Sequence, residues 1–188
     1  PSRWIALAEE HGFLLLVPNG YNTDEMSGAG EEQTWNDLRP SSGNGVSEEN
    51  DVAFIEAMLD REGGRHRFDT GTVFVTGSSN GGMMTYRLLI ERPTRFAAGA
   101  AFIANLPQGV IPDPTSPTPV MIMNGDADSQ MPWEGGIVGI NGAPVRSAAE
   151  TFGYWNRVNG SADAPSVSGL LPDRAPNDRS EERRVGKE

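Results

Sequence analysis

A glycine-rich turn between two apolar segments constrains this chain more than any other feature of its sequence. The turn has the pattern Gly77-x-Ser79-x-Gly81 and follows the β-branched and aromatic run 73–76. The apolar segment 83–90 comes next and is typical of a helix packed against a core. This order of strand, tight turn and helix predicts a nucleophile elbow, in which a strained turn presents the Ser79 hydroxyl above a sheet.

The residues around Ser79 fit that interpretation, with one alternative. Gly77 and Gly81 are expected to permit a sharp turn where a Cβ atom would clash. The amide N–H of Asn80, at the start of the following helix, would be free to bind an oxyanion. The alternative is an ordinary glycine turn of an α/β sheet, in which Ser79 only caps the helix. The flanking strand and helix favour the nucleophile.

Composition limits the classes of protein that the sequence can encode. Its 188 residues suit one domain with a hydrophobic core. A formal net charge of -11 argues against nucleic acid as a partner, because phosphate binding needs a basic surface. The absence of cysteine excludes disulfides, thiolate catalysis and Cys-ligated zinc. No apolar segment is long enough to span a membrane, and no signal peptide is visible, although the first residue is not Met.

Apolar segments typical of buried strands alternate with segments typical of amphipathic helices. Strands are predicted at 13–17, 72–76, 96–104 and 120–123, and helices at 2–12, 47–63, 83–90 and 147–158. This alternation predicts a doubly wound, mostly parallel α/β sheet. The segment 21–45 has no periodicity and is typical of a loop that covers a functional site. Trp35 within it either lines a pocket or pins the loop to the core.

Two carboxylates follow the predicted strand 120–123, where residues that act on a ligand gather in α/β sheets. In serine hydrolases of this fold the chain order is Ser, then Asp or Glu, then His. Asp128 is therefore the candidate acid and Asp126 the alternate. The alternative is a turn whose Asp and Asn side chains bond to their own backbone. A two-carboxylate metal site lacks a nearby His to complete it.

A general base for Ser79 is not apparent in the sequence. A serine nucleophile is activated by a base, most often His, that the acid orients. The chain has two histidines, His11 and His66, and both precede Ser79. Each is expected to be a solvated loop or helix-end residue, so the triad cannot be completed from this sequence.

Several ordered motifs lie between Trp4 and Gly160. They are Glu10–Gly20, Thr34–Asn36, Asp51–Ile55, Val75–Tyr86, Asn124–Asp128 and Pro132–Gly136. Together they resemble the polyhydroxybutyrate depolymerase and feruloyl esterase family, secreted α/β-hydrolases that cleave carboxylic esters. The resemblance implies that Ser79 is the nucleophile, Asp128 the acid and Asn80 N–H an oxyanion donor. It places Trp35 and Trp133 near the acyl or alcohol pocket. It implies a polyester or plant cell-wall ester as substrate, and no metal or organic cofactor.

Two parts of that family are expected to lie outside this sequence. They are the first strands, whose His-Gly turn supplies the second oxyanion donor, and the catalytic His in a Gly-His-x-Trp-Pro-like stretch. Residues 1–178 are therefore expected to form a partial α/β-hydrolase domain of a secreted protein, with an uncovered sheet edge and poor solubility. Residues 179–188 resemble the translation of a sequencing adapter, read through from environmental DNA, and are expected to be non-native. The alternative is an ordinary charged tail.

Rival functions remain at this point. A peptidase or thioesterase can use the same fold, because the elbow does not select the acyl substrate. A non-catalytic α/β module can instead use the segment 77–82 to cradle an anion at the helix N-terminus. The sequence does not separate a depolymerase from a feruloyl esterase.

Overall fold

The computed structural model describes residues 2–22, 33–39, 47–138 and 143–161, and the backbone of 169–170 and 184–185. The helices are α1 (Ser2–His11), α2 (Asp51–Gly63), α3 (Asn80–Glu91) and α4 (Ala148–Val158), with a 3-10 turn at Thr70–Thr72. The strands are β1 (Tyr21–Asn22), β2 (Gln33–Thr34), β3 (Phe74–Ser78), β4 (Ala98–Phe102), β5 (Val120–Met123), β6 (Gly136–Ile137), β7 (Pro144–Val145), β8 (Gly169–Leu170) and β9 (Arg184–Val185).

The main sheet that the structure describes has three parallel strands in the order β3-β4-β5. Because all three run in the same direction, their carboxyl ends meet at one edge. Ser78 pairs with Phe102, and Phe102 pairs with Met123, so the three strands end at the same level. The remaining described strands form antiparallel pairs of two residues each. This arrangement agrees with the predicted α/β class and its mostly parallel sheet.

The core lies where α3 packs on the sheet. Met83, Leu88 and Leu89 on α3 are all 2% exposed or less, because most of that helix faces other parts of the chain. At Gly99 in β4 an added Cβ would lie 2.7 Å from Leu89 Cδ1, so the helix approaches the strand closely. Trp155 from α4 packs against Tyr86 with ring centroids 5.7 Å apart. The helix that follows Ser79 is therefore fixed on the sheet.

Several predicted boundaries are confirmed. α1 ends before Gly12, which has a left-handed φ of 69°, and α4 ends near Gly160, whose φ is 61°. The strand at 120–123 has the predicted bounds. Ser147 and Glu150 form a reciprocal capping box at the start of α4.

Other boundaries are wrong for physical reasons. The apolar segment 13–17 is not a strand, because its backbone pairs with no strand in the described part of the chain. Val17 is 63% exposed, so apolarity alone overestimated its burial. Helix α2 begins at Asp51, since the Asn50 side chain caps it, and Ser47 instead accepts a hydrogen bond from Glu49 N. The strand before the elbow is displaced to Phe74–Ser78, because the 3-10 turn occupies its predicted start.

Two features are absent from the described residues. No described helix combines the length and the apolarity needed to cross a bilayer. Within those same residues, no group of three or more His, Asp or Glu side chains is arranged to hold a metal ion.

Candidate active site at the Ser79 turn

Ser79 occupies the turn between β3 and α3 in a backbone conformation that is unusual for a residue with a side chain. Its φ is 53°, in the left-handed region. The Ser79 amide donates to Phe102 O at 2.9 Å, and the Ser79 carbonyl accepts from Met83 N at 3.0 Å, which ties the turn to both neighbours. The exposed Ser79 side chain forms no capping bond to α3. The alternative in which the hydroxyl only caps the helix is therefore not observed.

Of the two motif glycines, Gly77 has the predicted role and Gly81 does not. A Cβ at Gly77 would lie 2.2 Å from Gly81 O, so position 77 accepts no side chain. At Gly81 the nearest atom to an added Cβ is Trp35 Nε1 at 4.0 Å, so the prediction that Gly81 avoids a clash is wrong. A second close approach is at Gly82, where an added Cβ would lie 2.7 Å from Ala104 Cβ. These contacts bring the first turn of α3 close to the ends of β3 and β4.

The end of β4 is held next to this turn by a polar network. Ile103 also has a φ of 53°, which is rare for a β-branched residue. The following residue, Ala104, is bound on both sides by Asn124, which accepts from Ala104 N at 2.9 Å and donates to Ala104 O at 3.1 Å. Asn124 Nδ2 also donates to Asn105 Oδ1 at 2.8 Å. Asn124 thereby joins the carboxyl ends of β4 and β5.

The side chain of Asn80 joins the elbow to the segment 33–39. Its Oδ1 accepts from Trp35 N at 2.7 Å, and its Nδ2 donates to Trp35 O at 3.0 Å. Nδ2 also donates to Asp37 Oδ2 at 2.6 Å. The first backbone hydrogen bond of α3 runs from Met83 N to Ser79 O. Asn80 comes before Met83 in the chain, so its main-chain N–H has no partner within the helix.

Two buried carboxylates, Asp37 and Asp51, bond to groups of the segment 33–39. Asp37 is fully buried and forms a bidentate pair with Arg39, whose Nε lies 3.0 Å from each carboxylate oxygen. Asp51 at the start of α2 is also buried and accepts from Asn36 N at 2.6 Å. Burial raises the pKa of the Asp51 carboxyl, although the Asn36 bond and the nearby Arg87 charge act in the opposite direction.

A cavity of about 320 Å³ opens beside the turn. Its lining includes Asn19, Gln33, Trp35 and the elbow residues 78–81. Ser79, Asn80 and Trp35 are therefore brought together at one surface. The larger cavity of about 460 Å³ lies between α1 and the segment 13–17, and its lining includes no nucleophile.

The other predicted site residues lie on the loop after β5. Asp128 Oδ1 accepts from Gln130 N at 2.7 Å and from Met131 N at 2.9 Å, as the turn alternative predicted, while its second oxygen has no bond among the described residues. Asp126 is exposed. Trp133 is half-buried and its carbonyl accepts from Ala148 N at 2.8 Å. Trp133 is not part of the cavity lining beside Ser79.

Neither histidine lines the cavity beside Ser79. His66 is exposed and its Nε2 lies 3.5 Å from Glu62 Oε2, in the connection that precedes β3. His11 is also exposed, and its Nε2 lies 4.0 Å from Glu10.

Sequence reasoning missed several residues that shape this site. The position of Asn80 at the start of a helix indicates a role for its backbone N–H but none for its side chain. Asp37 and Gln33 lie in a segment without periodicity, so no pattern singled them out. Their only sequence signal is proximity to Trp35, which the resemblance had marked.

The geometry and the sequence matches point to one class of protein, because the chain resembles carboxylic-ester hydrolases. It is 37% identical, over 69% of its length, to a protein with the name "Putative esterase NocK" from Nocardia uniformis subsp. tsuyamanensis, of which it covers 35%. It is 32% identical, over 50% of its length, to feruloyl esterase B of Thermothelomyces thermophilus, of which it covers 30%. It is 32% identical, over 56% of its length, to poly(3-hydroxyalkanoate) depolymerase C of Paucimonas lemoignei, of which it covers 24%.

These matches confirm the predicted resemblance to esterases and depolymerases. The chain spans about a third of the length of NocK, the first of these relatives. No family model matches the chain, and no solved structure matches it significantly.

Proposed function

We propose that this chain carries the nucleophile and the acid of a serine hydrolase that cleaves carboxylic esters, on a partial α/β-hydrolase fold. The observation that carries the proposal is the Ser79 turn, with its φ of 53° and an exposed side chain beside a cavity of about 320 Å³. The similarity to proteins named as esterases supports the same reaction class.

The reaction proceeds through an acyl-enzyme. Ser79 Oγ attacks the ester carbonyl carbon as its proton passes to a general base, and the carbonyl π electrons form an oxyanion. The free N–H of Asn80 stabilises that oxyanion. The C–O bond to the alcohol then breaks, and the alcohol leaves with the proton from the base. A water molecule repeats these steps on the acyl-enzyme, which releases the carboxylic acid and restores the Ser79 hydroxyl.

Asp128 is the proposed acid that orients the base. Because β3 and β5 are second neighbours in the sheet, their ends lie about 10 Å apart, on the scale that an imidazole bonded at both nitrogens bridges. Neither His11 nor His66 occupies that position. We therefore expect this chain by itself to have negligible esterase turnover, since loss of a triad His typically costs a factor on the order of 10⁶ in kcat.

An external base makes the proposal testable with the chain as it exists. The protein is treated with a fluorophosphonate in the presence and absence of imidazole, and the modified residue is identified by mass spectrometry. Imidazole is expected to accelerate labelling of Ser79, because it supplies the missing base. Ser79→Ala should abolish labelling. Ser78→Ala is the matched control, because Ser78 is also exposed and lies one residue earlier, and labelling should persist.

The outcomes separate the rival classes. No imidazole-dependent labelling of Ser79 would contradict the nucleophile and favour a non-catalytic module. Where Ser79 is labelled, mass spectrometry after exposure to nitrophenyl esters, thioesters and peptides compares acyl-enzyme formation. An acyl-enzyme formed as readily from thioesters or peptides would favour a thioesterase or peptidase.

The substrate and the location of the whole protein are also proposals. The relatives' names support polyhydroxyalkanoate or feruloyl-type esters as substrates. We propose a secreted protein, because the feruloyl-type esters of plant cell walls lie outside the cell that degrades them. Detection of the full-length gene product in culture medium, or its confinement to the cytoplasm, decides this point.

A further inference from the structure

The Asn80 side chain forms a two-point contact with a single residue of the neighbouring segment. It accepts from Trp35 N at 2.7 Å and donates to Trp35 O at 3.0 Å. These are the two bonds that a neighbouring β-strand residue would make. A carboxamide is suited to this contact, because it carries a donor and an acceptor on one planar group. The contact therefore holds the main chain of Trp35 at both its N–H and its carbonyl group.

A buried ion pair fixes the orientation of that carboxamide. Asn80 Nδ2 donates to Asp37 Oδ2 at 2.6 Å, so the nitrogen must face the carboxylate. The Asp37 side chain is fully buried, and Arg39 is only 10% exposed with its Nη2 2.8 Å from Asp37 Oδ2. A reversed carboxamide would place its oxygen against a buried carboxylate, which is unfavourable.

The residue held in this way forms a wall of the cavity beside Ser79. Trp35 and Ser79 both line that cavity. The Trp35 indole stacks on Phe54 with ring centroids 6.5 Å apart, and its Nε1 lies next to Gly81 on the first turn of α3. The indole that forms this wall is therefore carried by the same residue whose main chain is bonded to Asn80.

We propose that Asn80 is a positioning residue, whose side chain fixes Trp35 as the wall of the substrate pocket. The inference rests on the proposed function for the identity of the pocket, but the contact itself does not. One residue then has two tasks: its main-chain N–H stabilises the oxyanion, and its side chain sets the pocket wall. The Ser79 turn and the Trp35 wall of the pocket are thereby joined through Asn80.

The first experiment measures the contact without any chemistry at Ser79. Amide hydrogen exchange of Trp35 is followed by NMR in the native chain and in Asn80→Ala. Exchange should accelerate about tenfold, the factor expected when one hydrogen bond is lost. Asn36→Ala is the matched control, because the Asn36 side chain belongs to the same segment but bonds to Glu49 O. It should leave Trp35 exchange unchanged. Asn80→Ser replaces Asn80→Ala if that variant does not fold, because serine is well tolerated at a helix start.

The second experiment tests positioning rather than structure alone. Labelling rates of Ser79 with an aryl and with a methyl fluorophosphonate are compared in the presence of imidazole, and their ratio gives the preference of the pocket. Asn80→Ala and Trp35→Ala should shift this ratio by the same factor, and the double variant should shift it no further, because Asn80 acts through Trp35.

Each outcome is decisive. Unchanged Trp35 exchange in a folded Asn80 variant overturns the contact. Faster exchange with an unchanged aryl-to-methyl ratio, or additive shifts in the double variant, overturns the positioning role. If the native chain is not labelled by either probe, the proposed function fails. The inference is then tested by NMR with saturating phenylphosphonate. It holds only if this ligand perturbs the Trp35 indole resonance in the native chain but not in Asn80→Ala. An equal perturbation, or none in either protein, overturns it.

Discussion

Position 77 has no room for a side chain, whereas position 81 has. A Cβ at Gly77 would lie 2.2 Å from Gly81 O and 2.3 Å from Gly81 C, and both are backbone atoms of the turn. We expect Gly77→Ala to lower the free energy of unfolding by at least about 3 kcal/mol, because the turn must open to relieve the clash. Chemical denaturation monitored by circular dichroism measures this.

Gly81→Ala provides the control for that prediction, because it changes the same motif by the same methyl group. Its new Cβ would meet only Trp35 Nε1 at 4.0 Å, and alanine is favoured over glycine in a helix. Stability should stay within about 1 kcal/mol of the native value or rise. Equal losses in the two variants would show that the two glycines are equivalent, contrary to the geometry.

The candidate site shows which residue roles can be inferred from sequence. Ser79 was found because a strand, a glycine turn and a helix leave a local signature. The Asn80 side chain, Asp37 and Gly82 were not found, because their roles arise from contacts with residues far along the chain. Asn80 and Asp37 are 43 residues apart, and no periodicity links them. Local patterns therefore locate a turn but not the groups that surround it.

Among the elements, the start of α2 is joined to the segment 33–39 through the buried carboxylate of Asp51. Asp51 accepts from Asn36 N at 2.6 Å, and Arg87 Nη1 donates to Asn36 O at 2.6 Å. Because burial raises the pKa of Asp51, the folded state binds its proton more tightly than the unfolded state does. The charged form therefore costs stability at neutral pH, and this cost disappears as the pH falls through the raised pKa.

We accordingly expect the stability of the native chain, relative to Asp51→Asn, to increase as the pH falls from neutral through the raised pKa of Asp51. Asparagine keeps an acceptor for Asn36 N but does not titrate. Urea denaturation of both proteins across this range gives the difference directly. A relative stability that declines with acidification would mean that the pKa of Asp51 is lowered instead.

Elements with strong local signals were predicted well, and elements that depend on partners were not. Strand β5 and helix α4 were anticipated because an apolar run or a capping residue defines them locally. The segment 13–17 has the same apolar character as β5, but a strand also needs a hydrogen-bonded neighbour. An apolar sequence pattern shows that a segment prefers to be buried. Whether the segment becomes a strand depends on hydrogen bonding to a neighbouring strand.

At the scale of the whole molecule, the sheet exposes an apolar edge. Within the described residues β3 pairs only with β4, and Phe74 at its start is 67% exposed. An unpaired edge with an exposed aromatic residue is a template for association with another chain. We therefore expect the native protein to self-associate at micromolar concentrations, the range in which exposed edges promote aggregation.

Phe74→Lys should reduce this association, because a charge on an edge strand opposes pairing. Phe152→Lys is the matched control, since Phe152 is 39% exposed but lies on α4 and not on the sheet. Sedimentation velocity over a concentration series measures the effect. A lower apparent mass for Phe74→Lys alone assigns the association to the β3 edge. An equal reduction in both variants would indicate general hydrophobic contact. A native protein that is monomeric at every concentration would show that the edge is protected despite its exposure.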